Sequence, residues 1–220
     1  MSDHVSADGS PLALYLAIPA GDGPTIVHDA VPAGASILEL GSGPGRMTRV
    51  LIALGHRVTA VDDAEEMLAH VTGADTVCAD VLELDLGRRF DVVLAASQLV
   101  NHPTPEDRRR VLDVCRRHVH DHGDVLVERY PPGWLAEVEH VTNRIGPVSV
   151  ELQIVERRGD VVVGRTTYEL AGRTWTQEYE TADIDDERLA AEAPAAGLRL
   201  VEHLTDDGRW IRLRPVAAPS

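Results

Sequence analysis

The feature of this sequence that most limits its fold is a glycine-rich turn between an apolar run and an amphipathic segment. The run Ser36–Leu40 reads SILEL, and GSGPG follows it directly. The stretch Arg46–Leu54 then spaces its apolar residues as an amphipathic helix does, and Gly55 follows it as a C-cap. A buried strand, a glycine loop and a helix in this order are typical of the first unit of an open α/β sheet.

Strands and helices continue to alternate through the first half of the chain. One helix is predicted after Asp63, which can cap its first turn, and another at Thr104, where a proline and two acidic residues follow. The polar stretch Asp121–Asp124 predicts a turn. Apolar runs predict strands at Arg57–Val61, Thr76–Val81, Phe90–Ala96 and Val125–Glu128. This alternation predicts a mostly parallel sheet with helices on both faces.

The pattern changes after Glu128, where polar and apolar residues alternate in runs that are broken by short glycine turns. These runs predict a three-stranded antiparallel meander over residues 148–182. A helix is predicted from about Asp186 to Ala196. The last two strands, Leu198–His203 and Arg209–Arg214, are expected to form an antiparallel hairpin at the edge of the main sheet.

These elements predict one α/β domain over residues 1–220. Its cofactor-binding core is expected at residues 31–130, with the meander as an insertion. The segments Met1–Ser10 and Pro215–Ser220 are expected to be loose ends.

Composition and charge exclude several classes of partner. The formal net charge is −15, so electrostatic repulsion disfavours DNA or RNA. Arginines at 108–110 and 116–117 recur at helical spacing and are expected to form a solvated helix face. No apolar run reaches the ~20 residues of a membrane span, and the N-terminus lacks the pattern of a secretion signal. The two cysteines fit a reducing compartment, and no metal-ligand spacing is visible. We therefore expect a cytoplasmic protein with a small-molecule substrate and no metal, and a homodimer is left open.

The glycine loop indicates the charge of its ligand. Its spacing is G-x-G-x-G rather than the G-x-G-x-x-G of dinucleotide sites, and Glu39 lies two residues before Gly41. A carboxylate there repels a pyrophosphate but attracts an ammonium or a sulfonium. All 21 basic residues are arginine, so the lysine of a P-loop is absent. The ligand at this loop is therefore expected to be cationic or zwitterionic.

Two further acidic residues extend this interpretation. Asp62 ends the second strand, the usual position of the acid that binds a ribose diol. Asp80 lies at the end of the predicted third strand, where a carboxylate can accept a hydrogen bond from the amine of adenine. A ligand with an amino-acid end, a sulfonium, a ribose and an adenine, but no phosphate, is S-adenosylmethionine.

The segments LELGSGPGR, VTAVDDAEEML, CADVLEL, FDVVLAASQLVNH and HVHDHGDVLVE follow one another at normal spacing. In this order they resemble the class I S-adenosylmethionine-dependent methyltransferases. The fourth segment and the meander are most similar to the small-molecule N-methyltransferases of glycine and amino sugars. The resemblance implies a Rossmann-like, doubly wound sheet of seven strands, with the last strand antiparallel between strands five and six. It also implies methyl transfer to a small-molecule acceptor.

The resemblance implies a role for each residue of the cofactor site. The loop glycines would contact the methionine end through their backbones, and Glu39 would steer its amino group. Asp62 would bind the ribose, Asp80 and Val81 the adenine, and 96–98 would form the floor under the sulfonium. Asp63 is equally a helix cap, and Met67 equally a core residue. The predicted cofactor residues are Glu39, Gly41, Ser42, Gly43, Gly45, Asp62, Asp63, Met67, Ala79, Asp80, Val81, Ala96, Ser97 and Gln98.

The candidates for the acceptor side follow the ends of strands four and five. A histidine side chain can accept a substrate proton near neutral pH, which makes His102 a candidate base, although it is also a candidate loop or capping histidine. Asn101 beside it is a candidate for orienting the substrate. The predicted catalytic residues are His102, Tyr15 in an N-terminal helix that would cover the site, and Tyr130 after strand five. Aromatic residues that would either roof the site or pack against the sheet are Trp134, Tyr168, Trp175 and Tyr179.

Two other functions stay open at this point. A protein of the same fold can bind S-adenosylmethionine without methylating, for example as a cyclase, because cofactor motifs report binding rather than turnover. A nicotinamide-dependent oxidoreductase is disfavoured by the glycine spacing and by Glu39. The acceptor atom is also open, since a neutral amine needs no strong base whereas a hydroxyl or a carbon acid does.

Overall fold

The structure, a computed structural model, describes residues 11–216, so the predicted loose end Met1–Ser10 lies outside it. Within this range the helices are α1 (Leu12–Ala17), α2 (Gly23–Ala30), α3 (Arg46–Ala53), α4 (Glu65–Leu68), α5 (Pro105–His118), α6 (Trp134–Glu137) and α7 (Asp186–Glu192). The strands are β1 (Ser36–Leu40), β2 (Arg57–Asp62), β3 (Asp75–Cys78), β4 (Phe90–Ala95), β5 (Val119–Glu128), β6 (His140–Ile145), β7 (Val148–Arg158), β8 (Val161–Leu170), β9 (Arg173–Ala182), β10 (Leu198–His203) and β11 (Trp210–Pro215).

The main sheet has seven strands in the order β10-β11-β5-β4-β1-β2-β3. Strands β1 to β5 pair in parallel, and β11 runs antiparallel between β5 and β10. This topology confirms the predicted fold class. Because the carboxyl ends of β1, β2, β4 and β5 meet at one edge of the sheet, the loops that follow these strands converge there.

Apolar side chains cover both faces of the main sheet. One core cluster packs β4, β5 and β11 against α5 and α7, and a second packs the other face against α2 and α3 around the fully buried Trp210. The strands β1 and β4 are buried along nearly their whole length, as expected for central parallel strands. This packing holds the loops at the carboxyl edge on a rigid base.

A second sheet, β6-β7-β8-β9, forms the insertion after β5. The prediction of three strands was wrong by one, because β6 pairs with β7 ahead of them. Its sequence HVTNRI is polar and almost entirely exposed, so it lacks the apolar alternation that marks a half-buried strand. A small core between this sheet and α6 contains Leu135, Leu152, Ile154 and Val162.

Three local predictions were also wrong. The expected turn at Asp121–Asp124 belongs to β5, where a Cβ on Gly123 would lie 2.6 Å from the carbonyl oxygen of Asp91. The third strand ends at Cys78, because Asp80 accepts a hydrogen bond from the Leu82 N–H and starts a short turn of 3₁₀ helix. Pro215 is not a loose end but the last residue of β11; Ala217–Ser220 lie outside the described range.

None of the helices within residues 11–216 combines the length and the apolarity that a membrane crossing needs.

Candidate functional site

A cavity of about 740 Å³ opens at the carboxyl edge of the main sheet and extends under the insertion sheet. It is lined by every predicted cofactor and catalytic residue except Gly45 and Ala79. Gly45 instead caps α3 in a left-handed conformation, with its Cβ position 3.0 Å from Val71. Ala79 donates its N–H to the carbonyl oxygen of Asp62. Both residues therefore lie next to lining residues in the chain without forming part of the cavity surface.

The loop after β1 is shaped by Asp62 at the end of β2. One carboxylate oxygen of Asp62 accepts the Gly43 N–H at 2.7 Å, and the other accepts the Ala64 N–H at 3.1 Å. Ala64, not the exposed Asp63, is the N-cap of α4, so the predicted capping role of Asp63 was wrong. Gly43 has a φ of +55°, and the space where a Cβ would point is open. The loop thus presents backbone to the cavity.

Glu39 lies at the cavity floor on β1 and is buried. Its Oε2 accepts a 2.6 Å hydrogen bond from Thr48, and no other hydrogen bond to the carboxyl group is found among the described residues. Burial raises its pKa to about 7, against the opposing effects of the Thr48 bond and the charge of Arg46. A buried carboxylate with spare acceptor capacity favours a cationic partner in the cavity.

Arg46, the first residue of α3, also lines the cavity and was not predicted as a site residue. Its guanidinium lies 5.5 Å from the centre of the Tyr15 ring and donates to the Pro19 carbonyl at 3.4 Å. Arg46 is the last residue of the motif LELGSGPGR, and its charge could have indicated this role, because an amino-acid ligand carries a carboxylate as well as an ammonium. Glu39 and Arg46 together supply one charge of each sign.

The segment after β4 carries backbone strain. Ser97 and Gln98 have φ values of 55° and 60°, a backbone region that residues other than glycine rarely adopt. The Ser97 N–H donates to Glu128 Oε2 at 2.9 Å, which ties this turn to the end of β5. Strain of this kind costs about 1–3 kcal/mol per residue and is concentrated at ligand sites. Ala96, Ser97 and Gln98 form one wall of the cavity.

His102 also lines the cavity, and its Nδ1 lies 3.4 Å from Asp107 Oδ2. Nδ1 is buried and makes no hydrogen bond to the described residues, so the carboxylate acts on the ring through its charge alone. Arg108 holds the loop by donating to the carbonyl oxygens of His102 and Pro103. Arg108 is buried and paired with Glu192, so the prediction of a solvated arginine face was wrong for this residue.

Asn101 is a brace between elements. Its side-chain amide donates to the Ala182 carbonyl at 2.8 Å, and its side-chain oxygen accepts the Tyr130 N–H at 3.3 Å. Thr181 donates in turn to the Asn101 carbonyl. These bonds fix the end of β9 against the loop after β4, so the role of Asn101 seen here is to join the two sheets at the cavity.

All four tyrosines of the sequence line the cavity: Tyr15, Tyr130, Tyr168 and Tyr179. Of the aromatic residues considered for a roof, Tyr168 and Tyr179 reach the cavity, whereas Trp134 and Trp175 are not among its lining residues. Trp134 stacks on Tyr130 with 5.4 Å between ring centres. Gln177, Leu99 and Thr181 also line the cavity and were not predicted from the sequence.

Comparison with known proteins gives a consistent picture. Residues 37–123 match the family model described as a methyltransferase domain. A comparison with curated protein sequences gives no significant match. The fold is shared with solved structures. One is an S-adenosylmethionine-dependent methyltransferase from Clostridium acetobutylicum ATCC 824, with a TM-score of 0.74 at 13% identity over 93% of this chain and 95% of that chain.

Two further solved structures share this fold. The CcbJ methyltransferase from Streptomyces caelestis has a TM-score of 0.73 at 21% identity, over 90% of this chain and 91% of that chain. The sugar N-methyltransferase KedS8 from Streptoalloteichus sp ATCC 53650 has a TM-score of 0.73 at 21% identity, over 99% of this chain and 97% of that chain. These TM-scores and coverages establish a common fold along nearly the whole chain.

Proposed function

We propose that this chain, which carries a class I S-adenosylmethionine-dependent methyltransferase domain, methylates an amino group of a small polar molecule such as an amino sugar. The observation that carries the proposal is a single cavity with two chemically different ends. Glu39, Arg46 and the glycine loop line one part, and His102 and the four tyrosines line the other, with Tyr15 beside Arg46 where the two parts meet.

The residues at the first end fit the methyl donor. Its amino-acid part is a zwitterion, for which Glu39 would accept from the ammonium and Arg46 would donate to the carboxylate. Gly43 leaves open the space that a Cβ would fill. Asp62 holds the loop, and its carboxylate would also accept from the ribose hydroxyls. Asp80 and Val81 would flank the adenine.

The residues at the second end fit a nucleophile that must lose a proton. An amine is protonated over much of the neutral range, and its lone pair is available only after deprotonation. His102, with Asp107 beside its Nδ1, would take that proton on Nε2. When bound, the donor supplies a methyl carbon activated by the sulfonium, and the amine forms the N–C bond as the C–S pair leaves on sulfur. The protein contributes alignment and a proton acceptor.

The choice of nitrogen over oxygen is supported by one relative. The structure from Streptoalloteichus is named a sugar N-methyltransferase, and it aligns over 99% of this chain. The lining also contains the Gln177 amide and the tyrosine hydroxyls, which suit a molecule that carries several hydroxyls.

The test is methyl transfer from S-adenosylmethionine to matched acceptors, followed by mass spectrometry. Glucosamine and glucose differ only in the amine, so methylation of the first and not the second supports an N-methyltransferase. Asp62→Ala is the control variant, because it should lose cofactor affinity and therefore product. If the protein binds S-adenosylhomocysteine but methylates none of a panel of amines, the non-methylating alternative takes precedence.

A further inference from the structure

The four tyrosines reach the cavity from four separate parts of the chain. Tyr15 lies on α1, Tyr130 follows β5, and Tyr168 and Tyr179 lie on β8 and β9. The whole sequence contains only eight aromatic residues of the Phe, Trp and Tyr types: three Trp, four Tyr and one Phe. Half of these aromatic residues therefore line one cavity, although no local sequence pattern brings them together.

Neighbouring residues hold these rings in place. Tyr130 stacks on Trp134, and Tyr179 lies within hydrogen-bond distance of Thr166, with 3.4 Å between the oxygens. Gly164 lies opposite Tyr179 on the adjacent strand, and a Cβ there would be 3.0 Å from Cζ of the tyrosine ring. Burial raises the pKa of Tyr130 and of Tyr168, so both phenols stay neutral and add no negative charge to the cavity.

The charges at this end are nearly all committed elsewhere. Among the described lining residues the arginine is Arg46, which lies over Tyr15 and which the proposed function assigns to the carboxylate of the methyl donor. Two lining carboxylates, Glu178 and Glu180, pair with Arg165 and Arg158 respectively. No arginine in the described lining is therefore left over to neutralise a phosphate or a carboxylate on the acceptor.

We infer that Tyr15, Tyr130, Tyr168 and Tyr179 form a receptor for an ammonium group, and that the acceptor is a cationic amine without a phosphate or carboxylate at this end. The inference rests on the proposed function for the assignment of Arg46. The faces of neutral aromatic rings attract ammonium groups, and several rings around one cation add specificity. The acceptor is cationic before it loses its proton and again after methylation, so the same rings bind substrate and product.

The experiment measures binding without turnover. Protein saturated with S-adenosylhomocysteine is titrated with tetramethylammonium chloride, and separately with sodium phosphate, by calorimetry at constant ionic strength. Tetramethylammonium has no proton to donate, so it reports the ring faces alone. We expect saturable binding of tetramethylammonium and none of phosphate. Tyr168→Leu should weaken tetramethylammonium binding by about 2- to 30-fold, as expected for the loss of one ring.

The matched control is Tyr168→Phe, which keeps the ring and removes the hydroxyl. Its affinity for tetramethylammonium should stay within about threefold of wild type, because the ring face carries the attraction. Equal losses in the Leu and Phe variants, saturable phosphate binding, or no tetramethylammonium binding would each overturn the inference. None of these outcomes depends on methyl transfer, so a failure of the proposed function shows separately, as absence of product from every amine.

Discussion

Glu39 is a buried carboxyl group whose ionisation should control how tightly the methyl donor binds. Its pKa is raised to about 7, with burial as the largest cause. The ammonium of the ligand is attracted by the carboxylate form only. With this pKa, the ionised fraction falls from about three quarters at about pH 7.5 to about 3% at about pH 5.5, so affinity should fall by about 25-fold.

The assay is calorimetric titration with S-adenosylhomocysteine, which carries the same ammonium group and does not react. Titrations at about pH 6 in two buffers with different heats of ionisation should show that about 0.9 proton is released per molecule bound, because binding forces Glu39 to ionise. The variant Glu39→Gln should bind more weakly and lose most of this pH dependence. A wild-type affinity that stays constant over this range, or an equal slope in the variant, would refute the reasoning.

The same carboxyl group should affect the stability of the ligand-free protein. Because its folded pKa lies above the ordinary value of 4.5, its contribution to stability is greatest below about pH 4.5 and decreases as the pH rises to about 7. The decrease amounts to about 1.4 kcal/mol per pH unit in that window. Glu39→Gln should therefore be more stable than wild type at about pH 8, and the difference should disappear at about pH 4.5 in denaturant unfolding.

Three further variants test other parts of the site. Gly43→Val should abolish binding of S-adenosylhomocysteine by calorimetry, because its side chain would enter the cavity from a φ of +55°; normal binding would make the loop merely structural. His102→Gln should slow single-turnover methylation of an amine by about 100-fold or more near neutral pH, and the deficit should shrink as the pH approaches the pKa of the amine; a loss under about tenfold at every pH would exclude a proton acceptor. Arg108→Ala should lower the free energy of unfolding by about 3 kcal/mol, because it leaves two loop carbonyls and the partly exposed Glu192 without their partner; a loss under about 1 kcal/mol in denaturant unfolding would contradict this.

The convergence of most predicted cofactor residues on one cavity could be predicted because their positions are local in the sequence. Glu39, the glycine loop and Asp62 occur at strand ends, and parallel strands bring those ends to one edge whatever the rest of the chain does. The fold predicted from these motifs is confirmed by the solved structures that share it, and residues 37–123 match the methyltransferase-domain model. Arg46 belongs to the same motif and lines the cavity, although it was not predicted as a site residue.

The acceptor half could not be predicted in the same way. Whether Tyr168 and Tyr179 face the cavity or the sheet depends on the register of β8 against β9, and a shift by one residue would exchange the two faces. Likewise, the burial of Arg108 depends on Glu192, which is distant in sequence and arrives with α7. Contacts of this kind leave no periodic signal in a single sequence.

The two halves of the cavity are built by different stretches of the chain, and this division has a consequence for how such a protein can change. The residues proposed to hold the donor lie on loops of the main sheet, whereas two of the four tyrosines lie on β8 and β9 of the insertion. Exchanging one contiguous stretch, residues 140–182, would replace half of the tyrosine cluster and leave Glu39, Arg46 and Asp62 untouched. New acceptor preferences are thus open to recombination of a short gene segment, without renewed selection for use of the methyl donor.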